Sequence, residues 1–111
     1  MKRPVIDPGA FTARLTVEQA VEVPDGQGGV IRTHAPIGAA WARIEPVTTD
    51  RVLAAGAQAM TVTHRIWLRH RSDLQSGMRL RKGARVFDLK TFQDPDETGR
   101  YLICECEEME G

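Results

Sequence analysis

The chain has 111 residues, with 15 basic and 15 acidic side chains and a formal net charge of zero. That length accommodates one domain with a modest single core. The charge balance argues against a free-standing nucleic-acid binder with a strongly basic surface.

Met1 to Ala10 carries Pro4, Pro8 and Gly9 with little pattern, and reads as a flexible arm preceding a single domain over residues 11–108. From Phe11 to Val23 the residues alternate. Phe11, Ala13, Leu15 and Val17 point one way and Thr12, Arg14, Thr16 and Glu18 the other, which predicts a half-buried strand with a bulge near Gln19–Ala20. Pro24-Asp25-Gly26-Gln27-Gly28-Gly29 is the clearest turn signal and predicts an exposed, mobile hairpin tip. Val30 to His34 resumes an extended chain. Ile37 to Val47 is a second long strand, expected to end at Pro46, with Trp41 placing its ring edge near water or a partner.

Thr48 to Gly56 predicts either a short helix, capped by Thr48 or Thr49 and stopped at Gly56, or a small-residue loop. Met60 to Arg71 is a long strand, with Val62, His64, Ile66 and Leu68 on one face and Thr63, Arg65, Trp67, Arg69 and Arg71 on the other. Met78–Arg81 and Ala84–Phe92 form a hairpin across Lys82-Gly83. Gln93 to Gly99 is a further turn and Arg100 to Glu107 the last strand. The fold class is therefore mainly β: a small antiparallel β-barrel or sandwich of about six strands with one short helix or ordered loop.

Few of these residues have the pattern that chemistry needs. Cys104 and Cys106 share a strand face, but a structural zinc site wants four ligands and the histidines His34, His64 and His70 are scattered. Two small buried hydrophobes are the simpler account. No serine or cysteine stands in a nucleophile motif and no glycine loop matches a phosphate cradle, so neither catalysis, a cofactor nor a metal is expected. No apolar run approaches the roughly 20 residues that cross a bilayer. Val5-Ile6 is broken by Asp7-Pro8, so no signal peptide is expected, and with two unpaired cysteines synthesis in a reducing cytoplasm follows.

Charge is unevenly spread. Arg65, Arg69, Arg71, Arg79, Arg81, Lys82, Arg85 and Lys90 make the middle basic, while Asp94, Asp96, Glu97, Glu105, Glu107, Glu108 and Glu110 make the end acidic. The two regions can neutralise each other within one subunit or meet across a boundary between subunits. Arg65, Arg69 and Arg71 beside Trp67 also suggest an aromatic-basic platform for nucleic acid, or else a solvated face or an ion-pair seam.

Trp41-Ala-Arg-Ile-Glu-Pro46, Thr63-His64-Arg65-Ile66, Gly77-Met78-Arg79 followed by Gly83-Ala-Arg-Val-Phe87, and Asp94-Pro95-Asp96-Glu97 ahead of a strand ending in Cys-Glu stand in this order. Over residues 10–108 the pattern resembles the head–tail joining family of tailed bacteriophages and phage-like gene transfer particles, also called stopper or connector proteins. The resemblance implies a non-enzymatic barrel at the particle neck. It would form a homo-oligomeric ring under the portal or adaptor, retain packaged double-stranded DNA, and dock a tail terminator or tail tube protein, with no membrane involved. By position, the family's gate loop falls on Thr48, Thr49, Asp50, Arg51 and Gln58. Arg65, Arg69, Arg71, Arg79, Arg81, Lys82 and Arg85 become candidates for facing DNA or a neighbouring subunit. Asp25, Gly26, Gln27, Gly28 and Gly29 become a candidate inter-ring tip. The alternative is a small β-barrel that binds nucleic acid on its own.

Overall fold

The computed structural model describes residues 8–55 and 58–109, with Pro8 and residues 48–55 and 58–60 described in backbone only. The expected arm therefore lies mostly outside the described residues; its end, Pro8–Ala10, forms a single 3-10 turn. Six strands follow: β1 (Ala13–Pro24), β2 (Val30–Ala55), β3 (Gln58–Arg69), β4 (Arg79–Lys82), β5 (Arg85–Gln93) and β6 (Tyr101–Met109). All pairings are antiparallel and close a barrel in the order β1-β2-β3-β6-β5-β4, as the alternating apolar pattern led us to expect. Closure removes the open edges a flat sheet would expose.

The inward residues of every strand meet in one core. Leu15 and Val17 of β1, Ala42 of β2, Ile66 and Leu68 of β3, Leu80 of β4, Phe87 and Leu89 of β5, and Leu102, Cys104 and Cys106 of β6 are buried together. Leu74 and Met78, from the β3–β4 connector, close one end of the barrel. A smaller cluster sits on the outer face: Phe11, Trp67 and Ile103, with Tyr101 packed against it and an edge-on Phe11–Tyr101 contact at 5.6 Å.

Three expectations need correction. The segment Thr48 to Ala55 is not helical but continues β2, pairing back onto β3 from Arg51↔Val62 to Ala55↔Gln58. Thr48, Thr49 and Val52 are β-branched, which favours the extended chain once a partner strand supplies the ladder. Pro46 does not end β2. It pairs with His64, and the ladder then skips to Arg51↔Val62, leaving residues 47–50 opposite Thr63 alone. A missing N–H interrupts pairing locally without turning the chain away. The bulge expected at Gln19–Ala20 lies instead between Val17↔Gly38 and Glu18↔Pro36, with Ile37 of β2 as the extra residue.

β2 thus runs for 26 residues. Straight, it would span about 85 Å at roughly 3.3 Å per residue. The greatest extent of the molecule is 53 Å, so β2 must bend, and its two irregularities are where it can. Beyond the barrel, β1 and β2 pair only with each other from Gln19↔Ala35 to Pro24↔Val30. At the opposite end, β2 and β3 do the same beyond His64, where β6 stops pairing with β3. Two hairpins therefore project from opposite ends of one barrel.

Candidate functional site

The outer face is dominated by ion pairs that the strand order creates. Arg65 of β3 lies between Glu105 of β6 (Nε–Oε1 3.3 Å) and Glu45 of β2 (Nη1–Oε1 3.8 Å). Arg85 of β5 grips Glu108 of β6 through Nε at 2.9 Å and Nη2 at 3.1 Å, which holds the Glu108 carboxyl below its ordinary range and raises the guanidinium. Lys90 reaches Asp88 at 3.0 Å and Glu107 at 3.5 Å. Arg81 of β4 holds the buried Glu18 of β1 at 3.1 Å. Arg71 forms a fork with Asp73, both bonds at 2.9 Å, and donates to the Ala39 carbonyl at 3.2 Å. Most of the basic middle is thus neutralised within one subunit, largely by the acidic last strand beside it.

The remaining basic candidates differ. Arg79 is half-buried, with its Nε lacking a partner. Arg69 and Lys82 are exposed and, among the described residues, make no ion pair. Trp67 does not serve a platform. It is buried beneath Phe11 and Ile103, with Arg43 5.9 Å above its ring. The exposed tryptophan is Trp41, at 58%. With Ala39, Ala40, Arg69 and Arg71 it lines an open hollow of ≈ 290 Å³ at the base of the β1–β2 hairpin. Gly38 leaves room for Arg71 there, since a Cβ would meet its Nη2 at 3.3 Å. The size and single donor of Trp41 put its ring edge near water or a partner, but its neighbours depend on the β2–β3 register, which no local signal carries.

The Asp25–Gly29 tip is internally bonded. Asp25 Oδ1 accepts from the Gln27 N–H at 2.7 Å and the Gly29 N–H at 3.0 Å, and the Asp25 N–H donates to the Gly29 carbonyl at 3.1 Å. Those amides hold the Asp25 carboxyl below its usual value, the Gln27 bond most of all. Gly26 and Gly28 take φ of 82° and 86°, where a side chain would be strained. Val23, Val30 and Ile31 beside the tip are exposed. Farther down the hairpin, His34 Nε2 meets the Gly77 carbonyl at 3.0 Å and ties the ribbon to the β3–β4 connector. The candidate gate residues Thr48, Thr49 and Asp50 fall in the irregular stretch of β2, and Arg51 and Gln58 in the ladder of the second hairpin. Their side chains lie outside the described residues.

Cys104 and Cys106 are fully buried and free. Burial pushes the Cys104 thiol up to about 12 and Cys106 well above its ordinary value, so neither is a nucleophile. His64 bonds Thr63 Oγ1 at 2.9 Å and packs edge-on against Phe87, and burial lowers its pKa. Among the described residues no group of three or more His, Cys, Asp or Glu could hold a metal, and no helix is long and apolar enough to cross a membrane.

A chain in the solved structure "Virion of native gene transfer agent (GTA) particle" is 27% identical, with a TM-score of 0.65 over 88% of this chain and 94% of that one. The solution structure of protein SF1141 from Shigella flexneri 2a is 23% identical, with a TM-score of 0.67 over 93% and 96%, a likeness of fold alone. No curated protein matches. Residues 6–109 match the family described as phage head completion protein, and the chain accordingly belongs to that family of structural virion proteins.

Proposed function

We propose that the chain is a head–tail connector, or stopper, at the neck of a phage or phage-like particle. It forms a ring of identical subunits under the portal or adaptor, helps retain packaged DNA and presents a docking surface to the tail; it catalyses nothing. The observation that carries this reading is the pair of hairpins projecting from opposite ends of a closed barrel. A subunit with one reaching element at each end can engage two different neighbours beyond its own barrel. The β2–β3 hairpin, with Thr48, Thr49, Asp50, Arg51 and Gln58, is the gate in this reading, and the Asp25–Gly29 ribbon reaches the next subunit.

The ion pairing weighs against a barrel that binds nucleic acid alone. Of the eight cations in the basic middle, Arg65, Arg71, Arg81, Arg85 and Lys90 are each held by a carboxylate, which among the described residues leaves Arg69, Arg79 and Lys82 of that region for phosphates. Deleting the gene in its native particle system tests the reading. The expected result is DNA-filled heads that lose DNA and lack tails, with the chain located at the neck by electron microscopy of complemented particles. Tailed particles that keep their DNA without this chain would overturn it.

A further inference from the structure

The chain carries two exposed apolar features at different places, and they complement each other. The first is the β1–β2 ribbon near its tip. The cross-strand pairs Val23↔Ile31 and Val21↔Thr33 fall on one face and make it entirely β-branched, with Val23 39% and Ile31 52% exposed. The opposite face carries the Glu22–Arg32 ion pair. A two-stranded ribbon standing in water is marginal unless such a face is covered. The second feature is the hollow of Ala39, Ala40 and Trp41, rimmed by Arg69 and Arg71.

We infer that the ribbon of one copy seats its Val23–Ile31 face in the Trp41 hollow of the next copy. Charge fits this pairing. The tip carries Asp25, whose carboxylate is held ionised by its own turn amides, and the hollow's rim carries Arg69, a cation with no ion pair among the described residues. Reach allows the contact: from Ile31 to Ala40 is nine residues along β2, about 30 Å at roughly 3.3 Å each. The two surfaces differ, so the contact is heterologous and repeats from copy to copy, as a ring or open filament requires. It rests on the ring reading proposed above and names the surfaces that build the ring.

The test is a cysteine pair, Ile31→Cys with Ala39→Cys, in particles assembled with the full chain and then oxidised. Cys104 and Cys106 are buried and provide a silent background. Linked dimers, trimers and higher multimers are expected on a non-reducing gel, with each single variant remaining monomeric. Dimers from Ile31→Cys alone would mean symmetric ribbon-to-ribbon pairing and would overturn the inference. So would particles that contain the double variant and retain DNA but show no ladder, an outcome that leaves the connector reading standing. If the parent chain never enters particles, the connector reading fails, and oxidation of the concentrated purified double variant then decides the contact by the same ladder.

Discussion

Phe87 and Trp41 are both aromatic residues on strands of the same barrel, yet the structure separates them completely. Phe87 is fully buried on β5, facing Leu80 across the β4 pairing, with the His64 ring edge-on at 5.2 Å and the Arg85 guanidinium 4.9 Å from its centroid. Phe87→Ala removes the largest fully buried side chain and leaves a cavity bounded by a closed sheet that cannot collapse easily. Truncations of this kind destabilise by about 3–5 kcal/mol. For a domain of this size about 4 °C is lost per kcal/mol, so the melting temperature should fall by roughly 12–20 °C. A domain typically has only about 5–15 kcal/mol in total, so part of the variant should be unfolded at 37 °C. Trp41→Ala, at a 58% exposed position, should stay within about 0.5 kcal/mol of the parent. Urea unfolding followed by circular dichroism gives both values. A Phe87→Ala variant within about 1 kcal/mol of the parent, or a Trp41→Ala variant more damaging than Phe87→Ala, would mean that the inside and outside of the barrel are wrongly assigned.

Acid should weaken the fold in two steps. His64 has its pKa lowered by burial, so the unfolded chain takes up its proton first and stability declines as pH falls below the ordinary value of 6.5. Glu108, lowered by its bond to Arg85, adds a second decline below its ordinary 4.5. Both groups are only partly shielded, so each step should be about 0.5 kcal/mol, with His64→Gln removing the upper step and Glu108→Gln the lower in a pH series of urea midpoints. Cys104 and Cys106 should resist a thiol reagent in the native state and react together only on unfolding; rapid labelling of the folded chain would contradict their burial. Glu97 is the one non-glycine residue among those described with a positive φ, at 58°. Relief of about 1–2 kcal/mol of left-handed strain should exceed the entropy that glycine adds to the unfolded chain, so Glu97→Gly should raise the melting temperature by a few degrees.

The core was readable because burial imposes a period of two. Leu15 and Val17, Val62, Ile66 and Leu68, and Cys104 and Cys106 announce their face within a few residues of chain, and the structure buries each of them. The β4–β5 hairpin was equally local, since Gly83 supplies the φ of 58° that its turn needs. What escaped the sequence depends on contacts between distant residues. Pro36 and Pro46 look like strand ends in isolation, yet β2 passes through both because β1 and β3 offer it partners on either side. Trp67 alternates with arginines and so looks solvent-facing, but Phe11, 56 residues earlier, covers it. The partner of Arg65, 40 residues away, is set by the β3–β6 register, and so is the emptiness of the rim at Arg69. The gate assignment came from position rather than chemistry, so no side-chain pattern marked it, whereas the tip was marked by its Asp25-Gly-Gln-Gly-Gly29 turn pattern.

The charge arrangement bears on how such a barrel could stand beside DNA without holding it. A duplex passing a protein wall is gripped in proportion to the cations that replace its counterions, and affinity falls with salt accordingly. Arg65, Arg71, Arg81, Arg85 and Lys90 each lie within 4 Å of a carboxylate that competes with any phosphate. A passing duplex would have to break those pairs, so it meets chiefly the cations left over, Arg69 and Lys82 among them. On the proposed reading, one subunit whose basic middle is largely paired grips duplex weakly. Repeating it around a channel sums many weak contacts into a lining that shields the phosphates without arresting the strand. On the proposed reading, the internal neutralisation of the basic middle by the acidic last strand is therefore what a conduit needs, and a surface built to bind DNA would have left those arginines free.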